Sequence, residues 1–481
     1  MTRATSPWLT LDAVLRVTGG RLLHPAPTRT QVAFTCCAID SRALAGGELF
    51  VPLPGTRTDG HEFVTSAIEG KAGGSLVADR HPAAPAWASS GKPVIAVSDP
   101  LRALQDLGRH CREGSGIPAV AVTGSNGKTT TKEMIAAVLG ERFRVHRNVG
   151  NLNNHIGLPL TLTALAREDG ALVVEMGMSA RGEIAELARI CAPNVGVLTN
   201  ASAAHLASLG TVEEVARAKS ELAESLPPDG FLVLNADDPL LWGMNRGRPV
   251  AKKSYALDHP DADLVPVRID ESADEGTRFA LADGTEVTLR LLGRHNVRNA
   301  LAAILVGDHF RVPRARAAAA LGALRPARHR LELLAARGLR VIDDAYNANP
   351  ASMREALLLL GSLPVAGARR AVLGDMLELG PDAERYHEEA GRGVPRDAWL
   401  YAAGSLAEAI ARGARSAGLP AERIRTFASG AEMAEAVAEA ARAGDLILVK
   451  ASRGMRLEQV VERLVPGHAG ISGAVHAAGR S

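Results

Sequence analysis

The segment 123–130, with the sequence TGSNGKTT, restricts the possible folds of this chain more than any other feature. It follows the apolar run 119–122 and precedes a helical pattern. Its two glycines allow the backbone to turn so that several N–H groups point inward at the start of the helix. A lysine and a hydroxyl side chain after such a turn suit a nucleotide's phosphates and Mg²⁺. We therefore predict a strand, a phosphate-binding loop and a helix; the alternative is an ordinary structural turn.

Individual positions in this loop have predicted roles. Lys128 is expected to reach the terminal phosphates, and Thr129 to ligate Mg²⁺. The match to the common G-x-x-x-x-G-K-[ST] pattern is incomplete, because Val122 occupies the position of its first glycine. The residues predicted to bind the nucleotide are Gly124, Ser125, Asn126, Gly127, Lys128, Thr129 and Thr130.

A chain of 481 residues is too long to fold around one hydrophobic core. A breaker-rich segment at 113–118 ends a first block. The two later blocks alternate short apolar runs, such as 171–174 and 446–449, with helix-like stretches. This alternation predicts parallel sheets with helical crossovers, and hence an α/β fold. The three predicted domains are 1–116, 117–325 and 326–481.

Charge and composition exclude several classes of partner. The net charge of +2 predicts no strong nonspecific attraction to nucleic acid or to a membrane surface. No apolar run approaches the ~18 residues of a membrane span, and no apolar core of a signal peptide follows Arg3. The four cysteines form no C-x-x-C pair and are expected to be reduced and buried. We expect a cytoplasmic protein, with a mobile tail over 466–481.

Three polar residues, Glu175, His205 and Lys219, lie after predicted strands or on a following helix. Residues beyond the carboxyl ends of parallel strands meet at one edge of the sheet, where the phosphate loop also lies. A carboxylate and an imidazole there could hold a second Mg²⁺. Each residue also has an alternative interpretation: a turn-capping glutamate, a surface histidine and a solvated helix lysine.

Several of these segments resemble motifs of the Mur ligase family. They are the TGxxGKT loop, EMG at 175–177, NASAAHL at 200–206 and AKSE at 218–221. The resemblance continues over most of the chain. It implies that Thr129, Glu175, His205 and Lys219 form the metal site, with CO₂ bound to Lys219 as a carbamate. It also implies catalytic roles for Lys128, His205 and Lys219.

The resemblance further implies a role for each domain. The first would be a small α/β domain that binds the UDP-sugar peptide. The second would be a P-loop ATPase-type parallel-sheet domain. The third would be a Rossmann-like domain that closes over ATP and binds the acceptor.

Three further segments resemble nucleotide-binding motifs of the family. GRHN at 293–296 implies that His295 and Asn296 contact adenine. PARHR at 326–330 resembles a P-x-x-G-R motif and implies that Arg330 reaches the phosphates, although His329 occupies the glycine position. Asp344 is implied at the ribose hydroxyls. Without the resemblance, GRHN would be a helix start, and the run 343–350 around Asp344 would be an Asx-rich strand-to-helix turn.

Substrate contacts are also implied by the resemblance. NVGNLNN at 148–154 resembles a substrate-facing GNxNN segment, and DSR at 40–42 resembles a UDP-binding segment. Without the resemblance, the first would be a loop and the second a capped turn with a surface charge. The implied substrate-binding residues are Ser41, Arg42, Asn151, Asn154, Tyr346, Asn347 and Asn349.

The segments DAYNANPASM at 344–353 and GDMLELG at 374–380 are similar to the branch of the family that adds the dipeptide D-alanyl-D-alanine. This implies an ATP-dependent ligase that joins D-alanyl-D-alanine to UDP-MurNAc-tripeptide through an acyl phosphate, in peptidoglycan synthesis. We expect a monomer with no nucleic-acid partner. A sister ligase with another amine substrate and a P-loop NTPase switch remain alternatives. A dinucleotide-dependent oxidoreductase would need a G-x-G-x-x-G turn at a strand end, and the sequence has none there.

Overall fold

The computed structural model describes residues 5–23, 32–55, 58–87, 91–272 and 276–467. Most of the tail predicted to be mobile, 468–481, lies outside these residues. The described chain is mixed α/β and is built on four sheets. All four cysteines are buried thiols, as expected. Within the described ranges, no helix combines the length and apolar character that a bilayer crossing requires.

The N-terminal sheet contains β1 (Arg21–Leu22), β2 (Cys37–Ala38), β3 (Leu49–Phe50), β4 (Gly74–Ala78) and β5 (Val94–Val97). Its strand order is β1-β5-β4-β3-β2, and only the β1–β5 pair is antiparallel. The helices of this region are α1 (Leu11–Thr18), α2 (Val64–Glu69), α3 (Ala84–Trp87) and α4 (Pro100–Ser115). Helix α4 begins at Pro100, and the side chain of Asp99 caps its N-terminus. The helix ends before Gly116, which has φ +63°.

The central sheet is entirely parallel. Its strands are β6 (Ala119–Thr123), β7 (Val145–Arg147), β8 (Ala171–Glu175), β9 (Val195–Leu198), β10 (Phe231–Asn235) and β11 (Ala251–Tyr255). They lie in the order β11-β10-β9-β6-β8-β7. The surrounding helices are α5 (Lys128–Gly140), α6 (Gly157–Thr163), α7 (Glu183–Cys191), α8 (Leu206–Leu209), α9 (Val212–Glu224), α10 (Pro239–Asn245), α11 (Arg294–His309) and α12 (Arg314–Ala323).

Both faces of the central sheet are covered, which explains why its strands are continuous apolar runs. Val120 and Val122 pack in a core with residues of α5 and α11. Ala119 and Ala121 lie in the core on the opposite face, with residues of α6, α7 and α9. The alternation of side chains along β6 therefore holds the phosphate loop between two packed layers.

A second, antiparallel sheet in this region was not predicted. Its strands are β12 (Pro266–Ser272), β13 (Gly276–Leu281) and β14 (Glu286–Leu289), paired in that order. Phe279, Leu281, Val287 and Leu289 join the same core as Val120.

The C-terminal sheet contains β15 (Glu332–Ala336), β16 (Leu339–Asp344), β17 (Arg369–Gly374), β18 (Trp399–Ala403), β19 (Ile424–Phe427) and β20 (Leu446–Lys450). Its order is β15-β16-β20-β17-β18-β19, parallel except for the edge strand β15. The helices are α13 (Pro350–Ser362), α14 (Ala383–Arg392), α15 (Ala407–Ser416), α16 (Gly430–Ala440) and α17 (Glu458–Leu464). This is the parallel sheet with helical crossovers that was predicted for the last block of the chain.

Candidate active site

The phosphate loop requires glycine at two positions. Gly124 has φ +156°, and a Cβ there would lie 1.8 Å from Thr199 Oγ1. Gly127 has φ +79°, and a Cβ there would lie 2.6 Å from Asn299 Oδ1. Any larger residue would push the loop away from the strand end or from α11, and the backbone angles would be strained as well.

The residues after β9 fix the shape of this loop. Asn200 accepts the Ser125 N–H at its carbonyl, at 2.8 Å, and the Asn126 N–H at Oδ1, at 2.9 Å. Thr199 Oγ1 donates to the Asn126 carbonyl at 2.7 Å. The segment after one strand thus holds the turn after its neighbour, and the loop is pre-organised.

Lys128 lies at the first turn of α5, as predicted. Its Nζ donates to the carbonyls of Gly124, at 2.7 Å, and Ser125, at 3.2 Å. Burial lowers the pKa of this ammonium; Glu175 opposes the shift and Arg330 adds to it. The lysine is therefore a desolvated donor at the mouth of the helix N-terminus, where an anion is favoured.

Thr129 and Glu175 are in direct contact. Thr129 Oγ1 donates to Glu175 Oε2 at 2.6 Å, and Asn153 Nδ2 donates to Glu175 Oε1 at 2.6 Å. Glu175 is 3% exposed, so it is not a solvent-facing turn cap. The two oxygen ligands predicted for Mg²⁺ are adjacent at the carboxyl end of β8.

Sequence reasoning missed the support beneath Glu175. Asn148, fully buried, accepts the Glu175 N–H at Oδ1 and donates from Nδ2 to the Glu175 carbonyl, at 3.0 and 3.2 Å. Lys132 Nζ donates to the Asn148 carbonyl at 2.6 Å. The run of turn-forming residues 148–154 pointed to this loop, but not to which asparagines face inward.

Lys219 is not a solvated helix lysine. It is 2% exposed in α9, and it makes no hydrogen bond or ion pair with any residue in the described part of the chain. Burial lowers its pKa well below the ordinary value; Lys128 lowers it further and Asp238 opposes the shift. A buried, uncharged amine is a nucleophile that CO₂ can modify, and a buried ammonium without a partner would be costly.

His205 lines the same cavity and has an unusual backbone. Its φ is +57°, and it precedes the short helix α8. Its Nδ1 lies 2.6 Å from Glu378 Oε2, a residue of the C-terminal unit. Burial lowers the pKa of the imidazole; Glu378 opposes the shift, and Lys219 and Lys128 add to it. The histidine is half-buried, and its side chain is paired with Glu378.

The predicted adenine residues lie at the start of α11. Asn296 is buried, and its amide is already engaged: Nδ2 donates to the Leu292 carbonyl at 2.8 Å, and Oδ1 accepts from Asn299 at 3.1 Å. Burial lowers the pKa of His295 to about 4, with Arg298 and Lys450 contributing. His295 is therefore neutral at physiological pH and can face a base without carrying charge.

His329 occupies a position that the family motif gives to glycine, and it adopts the backbone of a glycine. Its φ is +60°, and its Nδ1 lies 2.7 Å from Oδ2 of the fully buried Asp343. Arg330, the next residue, stacks its guanidinium 4.1 Å from the centre of the Tyr346 ring. The substitution therefore preserves the turn that presents Arg330 to the cavity.

Asp344 and Lys450 form a buried ion pair at the ends of the adjacent strands β16 and β20. Lys450 Nζ lies 2.5 Å from Asp344 Oδ2, and it also donates to the Asn347 carbonyl at 3.0 Å. Burial raises the pKa of Asp344, and the lysine opposes that shift. The preceding Asp343 engages His329, so the two aspartates have different partners. Lys450 was not among the predicted site residues.

Asn349 joins the C-terminal unit to the phosphate loop. It caps α13 through a capping box with Ser352, and its Nδ2 donates to Asn126 Oδ1 at 2.7 Å. Asn347 Oδ1 accepts from the Ala348 N–H at 3.0 Å. The loop after β16 is therefore tied directly to the central domain.

One cavity of about 670 Å³ collects most of these residues. The phosphate loop and Glu175, His205 and Lys219 lie on the central side. Arg330, Asp344, Tyr346, Asn347, Asn349 and Lys450 line it from the C-terminal unit. Asn153, Asn154, His295 and Asn296 also line it. Four predicted residues are not on its walls: Ser41, Arg42, Gly124 and Asn151.

Ser41 and Arg42 lie in a short 3₁₀ turn of the N-terminal domain. Asp40 caps this turn by accepting the Arg42 N–H at 3.0 Å, and it also pairs with the guanidinium at 2.8 Å. The Arg42 side chain is 88% exposed. Asn151 is exposed as well, and Asn154 Oδ1 accepts the N–H groups of Ile156 and Gly157 just before α6.

Family models match the chain in three consecutive segments. The Mur ligase middle domain matches residues 122–307, and the glutamate ligase domain of Mur ligases matches residues 329–453. The catalytic domain of the Mur ligase family matches residues 33–112. The chain belongs to the Mur ligase family.

Similarity to full-length relatives supports the assignment to this family. This Mur ligase is 41% identical, over 95% of its length and 98% of the relative, to UDP-N-acetylmuramoyl-tripeptide–D-alanyl-D-alanine ligase of Bacillus subtilis. It is 34% identical, over the same shares, to the ligase of that name from Mycobacterium tuberculosis.

Solved structures show the same arrangement. A crystal structure of MurF from Acinetobacter baumannii has a TM-score of 0.83 at 28% identity, covering 96% of this chain and 99% of that one. MurF from Thermotoga maritima in complex with ADP has a TM-score of 0.77 at 27% identity, covering 89% and 96%. The family resemblance and the α/β fold inferred from the sequence are confirmed.

Proposed function

We propose that this chain ligates D-alanyl-D-alanine to UDP-MurNAc-tripeptide with ATP, forming the UDP-MurNAc-pentapeptide of peptidoglycan synthesis. One observation supports this most: the phosphate loop of the central domain faces Arg330, Asp344 and Lys450 of the C-terminal domain across a single cavity. Full-length similarity to ligases with this activity supports the same substrates. The similar MurF of Thermotoga maritima, crystallised with ADP, supports the use of ATP.

The first chemical step activates a carboxylate. An oxygen of the tripeptide's terminal carboxylate attacks the γ-phosphorus of ATP, the bond to the β-phosphate oxygen breaks, and ADP leaves behind an acyl phosphate. Charge accumulates on the transferring phosphoryl group, and Lys128, Arg330 and the N-terminus of α5 are the groups that stabilise it.

The second step forms the amide. The uncharged amine of D-alanyl-D-alanine attacks the acyl carbon, the carbon–oxygen bond to phosphate breaks, and the nitrogen loses a proton as inorganic phosphate leaves. Holding both reactants in position could supply roughly 7–11 kcal/mol of the barrier reduction. No nucleophilic side chain is needed, so the protein's task is to position and to stabilise charge.

The cavity suits Mg²⁺ and a carbamate on Lys219. Thr129 Oγ1 and Glu175 supply oxygens, and His205 supplies a ring nitrogen on the same wall. The buried amine of Lys219, without a hydrogen-bond partner among the described residues, is the group that a carbamate would convert into an anionic oxygen donor. When bound, the metal would neutralise phosphate charge.

The division of labour follows the three predicted domains. Residues 1–116 bind the UDP-sugar peptide, 117–325 bind ATP, and 326–481 close over ATP and bind the dipeptide. Ser41, Arg42, Asn151 and Asn154 contact the precursor, while His295, Asn296 and Asp344 contact the nucleoside. We expect the enzyme to act as a monomer, and the buried thiols fit a cytoplasmic enzyme.

Phosphate release in matched reactions tests the proposal. Release should require ATP, UDP-MurNAc-tripeptide and D-alanyl-D-alanine together. Stimulation by a single amino acid instead of the dipeptide would identify a sister ligase. Release from ATP alone at the full rate would identify an NTPase switch.

A further inference from the structure

One residue of the C-terminal domain makes two separate hydrogen bonds to the His205 segment. Glu378 lies in the loop after β17, and its Oε2 is 2.6 Å from His205 Nδ1. The Glu378 carbonyl also accepts the Ala207 N–H at 3.1 Å. The side chain and the main chain of Glu378 therefore both hydrogen-bond to the segment at the start of α8, across the domain boundary.

The backbone on both sides of this contact is unusual. Glu378 has φ +64° and His205 has φ +57°, a left-handed region that is unfavourable for residues other than glycine. A strained backbone conformation of this kind persists only where contacts with the surrounding structure hold it in place. Gly380 also has a positive φ, +66°, which glycine adopts without steric cost.

The contact contributes little to stability but fixes an orientation. The Glu378 side chain is 63% exposed, and an exposed ion pair adds little to the stability of a fold. A carboxylate only accepts hydrogen bonds, so Nδ1 must carry the proton of this bond. In the neutral ring, Nε2 then carries no proton, and its lone pair is available to coordinate a cation.

We propose that Glu378 is a positioning residue for the cation site: from the C-terminal domain it orients His205 so that Nε2 is available as a ligand. The proposal rests on the assignment of His205, with Glu175 and Lys219, to the metal in the proposed function. It adds that the cation site is complete only when the C-terminal domain is docked as described, which couples domain closure to metal binding.

Manganese binding tests this without turnover. Mn²⁺ is titrated by electron paramagnetic resonance into protein saturated with a non-hydrolysable ATP analogue, counting the Mn²⁺ bound beyond the equivalent that the nucleotide carries. Glu378→Ala should weaken this Mn²⁺ by roughly 10- to 100-fold, the usual effect of losing a group that orients a metal-bound histidine. Glu378→Gln, which keeps an acceptor oxygen, should retain most of the affinity.

Two controls make the result specific. Glu408→Ala removes a surface glutamate of α15 that pairs with Arg415, and it should leave Mn²⁺ affinity unchanged. In a His205→Ala background, adding Glu378→Ala should cause no further loss, because the two residues act as a unit.

Either of two results would overturn the proposal: wild-type Mn²⁺ affinity in Glu378→Ala, or an equal loss with and without His205. Absence of ligation by the unmodified protein would instead overturn the proposed function, because the manganese comparison does not depend on turnover.

Discussion

Thr129 Oγ1 donates a 2.6 Å hydrogen bond to Glu175 Oε2, which joins the helix after the phosphate loop to the end of the neighbouring strand. Asn153 donates to the other carboxylate oxygen at 2.6 Å. The carboxylate accepts hydrogen bonds from two neutral donors, and no cation of the described residues forms an ion pair with it, although Lys128 acts on it electrostatically. Its charge is therefore available to a divalent metal.

Glu175→Gln should raise the Mg²⁺ concentration needed for half-maximal activity. The amide keeps the size of the side chain but removes its charge, so we expect at least a tenfold increase, about 1.4 kcal/mol. The measurement is a Mg²⁺ titration of ligation at saturating substrates. Glu183→Gln is the matched control. Glu183 lies on the same rim, but its carboxylate is engaged in accepting the Ser179 N–H. An unchanged Mg²⁺ requirement in Glu175→Gln would remove Glu175 from the metal site.

Lys219→Met should stabilise the fold in CO₂-free buffer at neutral pH. The pKa of Lys219 is lowered by burial, so below the ordinary value of 10.5 the unfolded chain holds its proton more tightly than the native protein. Stability therefore rises with pH between the folded-state pKa and 10.5, and the penalty disappears above that value. Methionine fills a similar volume without this penalty.

Thermal unfolding checks the sign of this effect. Lys219→Met should have a higher Tm than the wild type at pH 7, and the difference should shrink as the pH approaches 10.5. The variant should also lose ligation. A Tm below the wild type at both pH values would show that the lysine is stabilised by a partner in the native state.

His329→Gly should destabilise the protein even though the backbone is left-handed there. Glycine relieves about 1–2 kcal/mol of conformational cost. It also removes the hydrogen bond to the buried Asp343 carboxylate, and bonds to charged groups are worth about 1.5–3 kcal/mol. We expect a net loss of about 1 kcal/mol, measured by denaturant unfolding.

Arg337→Gly is the matched control for that prediction. Arg337 also has a positive φ, +53°, but it is exposed in the turn between β15 and β16. Its replacement should leave stability unchanged or slightly higher. Equal destabilisation by both substitutions would mean that the Asp343 contact is not the cause.

Arg42→Ala should raise the KM for UDP-MurNAc-tripeptide with little change in stability. Its guanidinium is 88% exposed beside Asp40, and guanidinium groups suit phosphate geometrically. Losing one charge-assisted bond predicts an increase of roughly tenfold. Arg102→Ala, another exposed arginine of the N-terminal domain, paired with Asp106, is the control. An unchanged KM would confine Arg42 to the turn that Asp40 caps.

The sequence was most informative where chemistry coincides with strand ends. The apolar run before the phosphate loop became β6, Lys128 begins α5, and Glu175 ends β8. The rule that such ends share one edge of a parallel sheet was sufficient to group them. The family motifs identified the residues of the C-terminal unit that follow β16, because those residues lie close together in the sequence.

Tertiary packing decided what local patterns could not. Lys219 lies in a helix rich in charged residues, and only the fold buries it. Asn153, rather than Asn151, contacts Glu175, because the direction of side chains in a loop depends on its anchors. The hairpin β13–β14 has a sequence signal, because Asp283 and Gly284, the latter at φ +84°, lie between two stretches of alternating residues. The domain boundaries and the roles of individual site residues remain predictions.

The central claim is that the terminal phosphate of ATP, held at the Gly124–Thr129 loop, is transferred to a carboxylate that then becomes an amide. The most direct measurement is mass spectrometry of a reaction containing ATP, Mg²⁺, UDP-MurNAc-tripeptide and D-alanyl-D-alanine. Lys128→Ala serves as the folded but inactive control. The account predicts the pentapeptide product with one phosphate released per amide formed, and at least a hundredfold lower rate in Lys128→Ala. A folded wild-type protein that forms no amide, or a Lys128→Ala variant that works at the normal rate, would contradict it.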